Sequence, residues 1–286
     1  MDQTIWQKMQ KIDTRILYAA LLLFISFPLI FPISLPIIPA EQSREAFETL
    51  VAVSKTRPLK PALVDSQWSA STRGENEWQT RALIQHLMIL HIPFIVIPGD
   101  PQAPQLMGDI IDDYKDKYGY VYGRDYVIVH FLQSSAYAQI IKGMARNIPE
   151  TLKTDQQGKE LSSIPLMKNV KTFSDISLLV EITPTASLDK WLQFLQGTQK
   201  VPIVVASTAV QSPEMFPFLD SHQIEGLLAG VKGAGDYEEL MGMKGGGTRV
   251  ATALSLVYAL IITLIVVGNI GYFAEKRALA AARTRK

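Results

Sequence analysis

Residues 61–100 have the sequence PALVDSQWSASTRGENEWQTRALIQHLMILHIPFIVIPGD, and this stretch decides the fold class. Apolar runs at 62–64 and 94–97 have the length of buried strands, and polar or turn-forming residues follow each run. Between them, residues 75–90 place apolar side chains along one stripe at helical spacing. A strand, a helix and a second strand in this order predict one unit of a parallel sheet covered by helices.

The same alternation continues along the chain. Further strands are predicted at 126–132, 176–182 and 203–206, and further helices at 103–118, 135–146 and 188–196. We place the resulting domain at residues 41–220. The predicted fold class is α/β, a three-layer Rossmann-like or flavodoxin-like parallel sheet domain inserted between two transmembrane helices. The order of its strands does not follow from the sequence.

Two uncharged stretches of 25 residues, 16–40 and 250–274, flank this domain. At about 1.5 Å per helical residue each exceeds the ~30 Å hydrocarbon thickness of a bilayer, so we expect two transmembrane helices. Prolines interrupt the first stretch at positions 28, 32, 36 and 39. Because proline removes a backbone donor, we expect a helix from near Gln3 to near Phe31 and an extended, proline-rich exit. A kinked helix is the alternative.

The charges that flank the two stretches predict an orientation. Residues 1–15 carry +1 and residues 275–286 carry +4, whereas the whole chain carries +1, so the residues between them carry −4. Because Lys and Arg favour the cytoplasmic side of a span, we expect a cytoplasmic N-terminal segment, a basic cytoplasmic tail and an extracytoplasmic domain at the cell (inner or plasma) membrane. The acidic centre argues against nucleic acid as a partner. The absence of cysteine excludes disulfides and thiolate chemistry.

Residues 221–249 are predicted to form a glycine-rich juxtamembrane helix and linker. A helix capped by Asp220 or Ser221 would keep its apolar residues at helical spacing. Its other face carries glycines, including Gly226 and Gly230, each of which costs up to ~1 kcal/mol of helix propensity relative to alanine. Either another backbone approaches this face closely, or the helix is broken in the middle.

The second predicted span follows three consecutive glycines, 245–247, which predict a flexible joint. The span itself carries small side chains at every fourth residue: Ala251, Ser255, Ala259 and Thr263. Small residues let helices approach closely in lipid, so this stripe, together with Gly226 and Gly230, predicts a helix-packing interface. Its partner would be the first span of the same chain or a helix of another subunit.

Polar residues at or just beyond the predicted carboxyl ends of the strands form a candidate ligand-binding set, because parallel sheets bind ligands at that edge. The set consists of Asp65, Glu75, Glu77, Asp100, Ser134 and Ser207. Carboxylates there would suit a metal or general acid–base chemistry. Acidic residues in a first helical turn are also expected from the helix dipole, so a capping role is the alternative. Since metal-ligand, nucleophile and phosphate-loop motifs are missing from the sequence, neither a metal nor a cofactor is predicted.

These features predict a membrane-anchored, non-catalytic structural or scaffolding subunit of a larger homo- or hetero-oligomeric membrane complex. Its partners would be the lipid bilayer and other membrane subunits or copies of itself. The small-residue stripe and the dispersed titratable residues favour association over turnover. The alternative is a membrane-tethered α/β enzyme or small-ligand receptor that uses the strand-end crevice. A signal transducer acting through the two spans is a third class, with only short ends available for an output.

Overall fold

The computed structural model describes residues 13–31, 33, 35–132, 136–195 and 200–283, except for the side chains of 278, 279 and 281–283. The chain divides into two compact units. The larger unit comprises residues 37–248, and the smaller unit comprises the chain up to residue 36 together with the chain from residue 249. The larger unit contains the sheet, and the smaller unit contains apolar helical segments.

The larger unit is built on a sheet of six parallel strands. The strands are β1 (Ala62–Ser66), β2 (Phe94–Pro98), β3 (Tyr126–Ile128), β4 (Leu178–Thr183), β5 (Ile203–Ser207) and β6 (Gly226–Ala229). Their order across the sheet is β3-β2-β1-β4-β5-β6, so the order reverses between β1 and β4. Every strand residue except Ala229 is buried, as expected of a parallel sheet that is covered on both faces.

Helices cover both faces of this sheet. They are α2 (Glu41–Ser54), α3 (Arg73–Ile89), α4 (Ala103–Tyr118), α5 (Tyr137–Met144), α6 (Ile148–Leu152), α7 (Leu188–Leu195), α8 (Phe216–Asp220) and α9 (Gly230–Leu240). Buried apolar side chains of α2, α3, α4 and α9 form one core with the first face of the sheet. Side chains of α5, α6 and α7 form a separate core with the second face. The α/β class and the parallel sheet are thus confirmed.

Five of the strands lie close to their predicted positions. The largest difference among them is at β3, which ends at Ile128 although the prediction extended to residue 132. Val129 still donates its N–H to the carbonyl oxygen of Val96 at 3.0 Å, but on its other side it pairs with Asp155 in an isolated antiparallel bridge. The helix α2 is missing from the prediction, although its buried residues have helical spacing. These are Ser43, Ala46, Leu50 and Val53.

The segment after residue 220 corrects a prediction. A single helix starting at Asp220 or Ser221 is wrong, because residues 226–229 form β6, which pairs with β5. The helix α9 starts only at Gly230, whose φ of 58° suits glycine at this turn. A short apolar run fits either a strand or a buried helix. Here the run forms a strand because it pairs with β5 at the edge of the sheet.

The buried carboxylate of Glu238 in α9 holds the start of the last helix, α10 (Gly246–Arg283). It accepts hydrogen bonds from the backbone N–H groups of Gly245, Gly247 and Thr248 at 2.7–2.9 Å. The first N–H groups of a helix have no acceptor within the helix, and a negative charge complements its dipole. The prediction placed all three glycines of 245–247 before the helix, whereas Gly246 and Gly247 belong to its first turn.

In the smaller unit, α1 (Thr14–Ile30) is shorter than the predicted first span. Asp13 caps it by accepting a hydrogen bond from the Arg15 N–H at 2.9 Å, and the predicted start near Gln3 lies outside the described residues. The helix ends at Ile30, close to the predicted end, and its 17 residues measure about 25 Å, less than the ~30 Å of a bilayer core.

Among the described residues, one helical segment is long and apolar enough to cross a membrane, residues Gly246–Arg277 of α10. The prediction of two membrane-length helices is therefore corrected, since the prolines end α1 early. Large apolar side chains of α10 point outward, with Tyr258 59%, Ile262 61% and Ile265 57% exposed. A surface of this kind needs cover from lipid or from another apolar surface.

Candidate functional site between β1 and β4

Asp65 of β1 and Glu181 of β4 lie side by side at the point where the strand order reverses. They are register partners in the parallel pair of strands, and both side chains are fully buried. In the same register, Ile97 of β2 and Val205 of β5 flank them, and both belong to the core of the second face. Open parallel sheets bind ligands near such a reversal, at the carboxyl ends of the strands. This carboxyl pair is therefore the candidate site.

Two side chains donate hydrogen bonds to Asp65. The Gln67 amide donates to Oδ1 and the Trp191 indole N–H donates to Oδ2, both at 2.6 Å. Burial raises the pKa of Asp65 to about 6, although the Tyr137 hydroxyl, these two donors and the more distant Lys190 act in the opposite direction. The charged form is thus only partly compensated for its loss of water.

Glu181 is less well satisfied. The Ser187 hydroxyl is 2.5 Å from Oε1, while Oε2 is buried and has no hydrogen-bond partner. Burial, and next the neighbouring charge of Asp65, raise the pKa of Glu181 well above its usual range. The Ser187 hydroxyl also lies 2.8 Å from the Thr183 hydroxyl, which is 3.0 Å from the carbonyl oxygen of Thr185. A protonated Glu181 can therefore start a chain of donors that ends on a backbone acceptor.

Tyr137 of α5 and Trp191 of α7 cover the carboxyl pair. Their rings meet edge to face at 6.3 Å, and both side chains are almost completely buried. The Tyr137 hydroxyl lies close enough to Asp65 to lower the pKa of that carboxyl, although it makes no hydrogen bond of good geometry. Burial, and then the charge of Asp65, raise the pKa of Tyr137 well above its usual range. The site is thus a closed cluster of polar groups filled by the chain's own side chains.

The structure describes four other residues of the predicted ligand-binding set, and none of them belongs to the hydrogen-bonded cluster around Asp65. Glu75 accepts a hydrogen bond from the Ala209 N–H at 2.8 Å, beyond the end of β5. Asp100 accepts one from the Gln102 N–H at 2.8 Å within its own turn, which precedes α4.

Glu77 forms ion pairs with Arg73 and Arg81 of its own helix, and Arg81 also binds Asp113 of α4. Ser207 is buried, and its hydroxyl lies 2.8 Å from that of Ser212. Ser134 lies outside the described residues.

On the first face, the buried amide of Gln79 fills the carboxyl ends of β5 and β6. Its Nε2 lies 2.8 Å from the carbonyl oxygen of Ser207, 3.0 Å from that of Leu228 and 2.9 Å from that of Gly230. Asn76 donates to its Oε1 at 2.9 Å. These contacts join α3 to the sheet edge, so this part of the crevice is also occupied by protein.

The predicted helix-packing residues lie in different surroundings. In α10, Ala251 is buried, whereas Ser255, Ala259 and Thr263 are exposed. The Ser255 and Thr263 hydroxyls donate to the carbonyl oxygens of Ala251 and Ala259, four residues earlier. Gly226 and Gly230 belong to β6 and the turn into α9, so they are not part of a helical face that continues the stripe.

Sequence reasoning found Asp65 but missed Glu181, Tyr137, Ser187 and Trp191. One signal was available, because Glu181 is an acidic residue inside a run of apolar strand residues. Such a residue is rarely buried without a specific reason.

Among the described residues, no group of three or more His, Asp or Glu side chains could hold a metal ion. Comparison with models of protein families, with curated proteins and with solved structures found no match. The structure itself defines the class: an α/β protein with a six-stranded parallel sheet and, within the part of the chain that the structure describes, one apolar helix long enough to span a membrane.

Proposed function

We propose that this protein is a membrane-anchored, non-catalytic subunit of a larger membrane assembly, built from copies of itself or from other membrane subunits. The observation that carries the proposal is the exposed row of small side chains, Ser255, Ala259 and Thr263, on the apolar helix α10. We further interpret the fold as Rossmann-like, because its strand order reverses once, between β1 and β4.

The strand ends support a non-catalytic role. Asp65 and Glu181 are fully buried beneath Trp191 and Tyr137, and Gln79 occupies the other face. Catalytic groups must reach a substrate, and ligand sites are usually preformed hollows with a few convergent polar groups. In this closed arrangement the polar groups contact one another and do not line a hollow for a ligand.

The small-residue stripe lies on a different face from the buried side of α10. Ala253 and Val257 are buried within the chain, and at 3.6 residues per turn they lie roughly 140° around the helix from the centre of the stripe. Since the hydroxyls of Ser255 and Thr263 are already bonded within the helix, close backbone approach, and not polar pairing, is what this face offers to a partner.

Enlarging the stripe is expected to weaken the assembly. Ala259→Leu should shift the purified protein toward smaller particles and weaken association by about tenfold or more, because the larger side chain keeps the partner helix at a distance. Native mass spectrometry of the full chain in a mild detergent measures the particle size. Gly268→Leu is the matched control, because Gly268 is exposed and lies on the opposite side of α10, with no atom within 4 Å of the place that a Cβ would take.

A strictly monomeric wild-type particle would remove the proposal. Equal effects of Ala259→Leu and Gly268→Leu would show that the stripe is not the interface.

We also propose that both termini are cytoplasmic and that the α/β unit is extracytoplasmic, with α1 as a second, short membrane segment. The support is the basic charge of residues 275–286 and the apolar composition of α1, in which Leu22, Leu23 and Ile30 are more than 60% exposed.

Single cysteines test this topology cleanly, because the chain has none of its own. In intact cells, a membrane-impermeant maleimide should label Asp220→Cys in α8, whereas Gln3→Cys and Lys276→Cys should react only after permeabilisation. Labelling of residue 3 together with residue 220 would show that α10 alone crosses the membrane. Labelling of residue 276 without residue 220 would show the opposite orientation.

The second candidate function is small-ligand binding or catalysis at the carboxyl pair. The observation that favours it is Oε2 of Glu181, a buried polar atom without a hydrogen-bond partner. Such atoms are costly and are concentrated at functional sites.

A further inference from the structure

We infer that Asp65 and Glu181 together hold one proton at neutral pH, and that this proton keeps α5 and α7 closed over the carboxyl ends of β1 and β4. The protein would then carry a proton-dependent closure at the reversal point of its sheet. This inference does not depend on the proposed assembly role.

The first step of the argument is the position of the two acids. Register partners on adjacent parallel strands have Cα atoms about 5 Å apart, and both of these side chains are buried on the same face between Ile97 and Val205. Two carboxylates in one buried site repel each other, so such a pair loses one charge by keeping a proton.

The second step is the supply of donors. Asp65 receives one from Gln67 and one from Trp191, and the Tyr137 hydroxyl also favours its charged form, so its negative charge is stabilised. Glu181 receives at most one, from Ser187, and its Oε2 receives none. The shared proton therefore belongs mainly on Glu181, whose neutral form does not need a donor at every oxygen lone pair.

The third step is the coupling to packing. Trp191 of α7 donates directly to Asp65, and Tyr137 of α5 packs against Trp191. Losing the last proton leaves two negative charges beneath these rings. Water can reach them only if α5 and α7 move away, so deprotonation favours opening.

The direction in which pH changes the stability of the closed state follows from the pKa shifts. In an opened state both carboxyls would approach their ordinary pKa values near 4, whereas burial raises the pKa of Asp65 to about 6 and that of Glu181 well above its usual range. The closed state thus binds more protons, and its stability falls as the pH rises from about 4 through the raised pKa values. Between pH ~6 and the raised pKa of Glu181 one proton separates the states, so over that interval the opening constant should rise about tenfold per pH unit.

The other charged groups near the carboxyl pair do not account for the expected pH dependence. Lys190 of α7 stabilises both carboxylates from a distance, with its ammonium 5.6 Å from the centre of the Tyr137 ring, and Asp189 weakly opposes ionisation of Glu181. On the first face, burial lowers the pKa of His86 to about 4, so its effect on stability has the opposite sign and appears only below about pH 6.5. Measurements above pH 6.5 therefore isolate the carboxyl pair.

Hydrogen exchange of the full chain in detergent tests the inference between pH 6.5 and 8.5. After correction for intrinsic exchange rates, protection of amides in α5 and α7 should fall about tenfold per pH unit in the wild type, while α3 on the first face keeps its protection. Glu181→Gln, a neutral side chain of the same shape, should abolish the pH dependence. Asp189→Asn, which removes an exposed carboxylate of α7, should retain the wild-type slope.

Constant protection of α7 in the wild type, or a wild-type slope in Glu181→Gln, would overturn the inference. If the Gln variant does not fold, infrared spectroscopy of the wild type gives the answer. A carboxylic-acid carbonyl band that persists at pH 8 supports a retained proton, and its absence contradicts one.

Discussion

Replacing Trp191 by alanine should lower the free energy of unfolding of the α/β unit by about 4.5–8 kcal/mol. The indole is completely buried in the core of the second face, where it meets the rings of Tyr137 and Phe173. Its removal leaves a large cavity, which costs about 3–5 kcal/mol for a tryptophan. It also removes a donor from Asp65, and a hydrogen bond to a charged group contributes about 1.5–3 kcal/mol.

A loss of this size is comparable to the total stability of many domains, about 5–15 kcal/mol. Denaturant unfolding of the full chain in a mild detergent, followed by circular dichroism, measures it.

Two further variants separate the two contributions. Trp191→Phe keeps most of the ring volume but removes the indole N–H, so we expect a loss of about 2 kcal/mol. Leu192→Ala truncates the next residue of α7, which is only partly buried against the same core, and should cost less than half as much as Trp191→Ala. If Trp191→Ala and Leu192→Ala were equally mild, Trp191 would not be the residue that anchors α7.

The position of the candidate site depends on strand order, and this explains what the sequence could and could not predict. Asp65 follows an apolar run in its own strand, so local pattern alone identifies it as a strand-end polar residue. Glu181 is 116 positions further along the chain, and it becomes the neighbour of Asp65 only because β4 pairs with β1. Side-chain patterning shows that strands exist, but their neighbours are fixed by packing of the whole sheet.

For the apolar helices α1 and α10, too, local sequence patterns predict only part of the structure. The spacing of Ala251, Ser255, Ala259 and Thr263 predicts a face of small residues, and helical geometry is sufficient for that. Which face of α10 the chain itself covers is decided by distant residues, so the exposure of Ala259 was not predictable from the spacing. The length of α1 was partly predictable, because proline cannot extend a lipid-exposed helix without loss of backbone hydrogen bonds.

For the glycines after residue 220, the sequence predicted a correct physical reason but assigned Gly226 to the wrong kind of element. Close approach of another backbone was one of two explanations for them, and Gly226 has such a neighbour. A methyl group on Gly226 would overlap the backbone nitrogen and Cα of Ala46 in α2. The approaching element is a helix packed on β6, however, and Gly226 lies in a strand.

Gly226→Ala should therefore destabilise the α/β unit by about 3 kcal/mol, near the upper end of what overpacking usually costs. The obstacle is backbone, which cannot rotate away as a side chain can, so α2 would have to move off the sheet. That movement would also disturb the contact between the Ser43 hydroxyl and the carbonyl oxygen of Leu227, which are 3.5 Å apart. Thermal and denaturant unfolding of the full chain in detergent measure the change.

The same substitution at Gly108 should act in the opposite direction. Gly108 lies inside α4, with nothing within 4 Å of the position that a methyl group would take. Alanine there should stabilise the protein by about 0.5–1 kcal/mol, because glycine is a poor residue in a helix interior. If both variants were stabilised alike, α2 would not pack on β6 through a glycine that must remain without a side chain. Opposite signs for one chemical change would show that the close backbone contact, and not the loss of glycine flexibility, sets the requirement at Gly226.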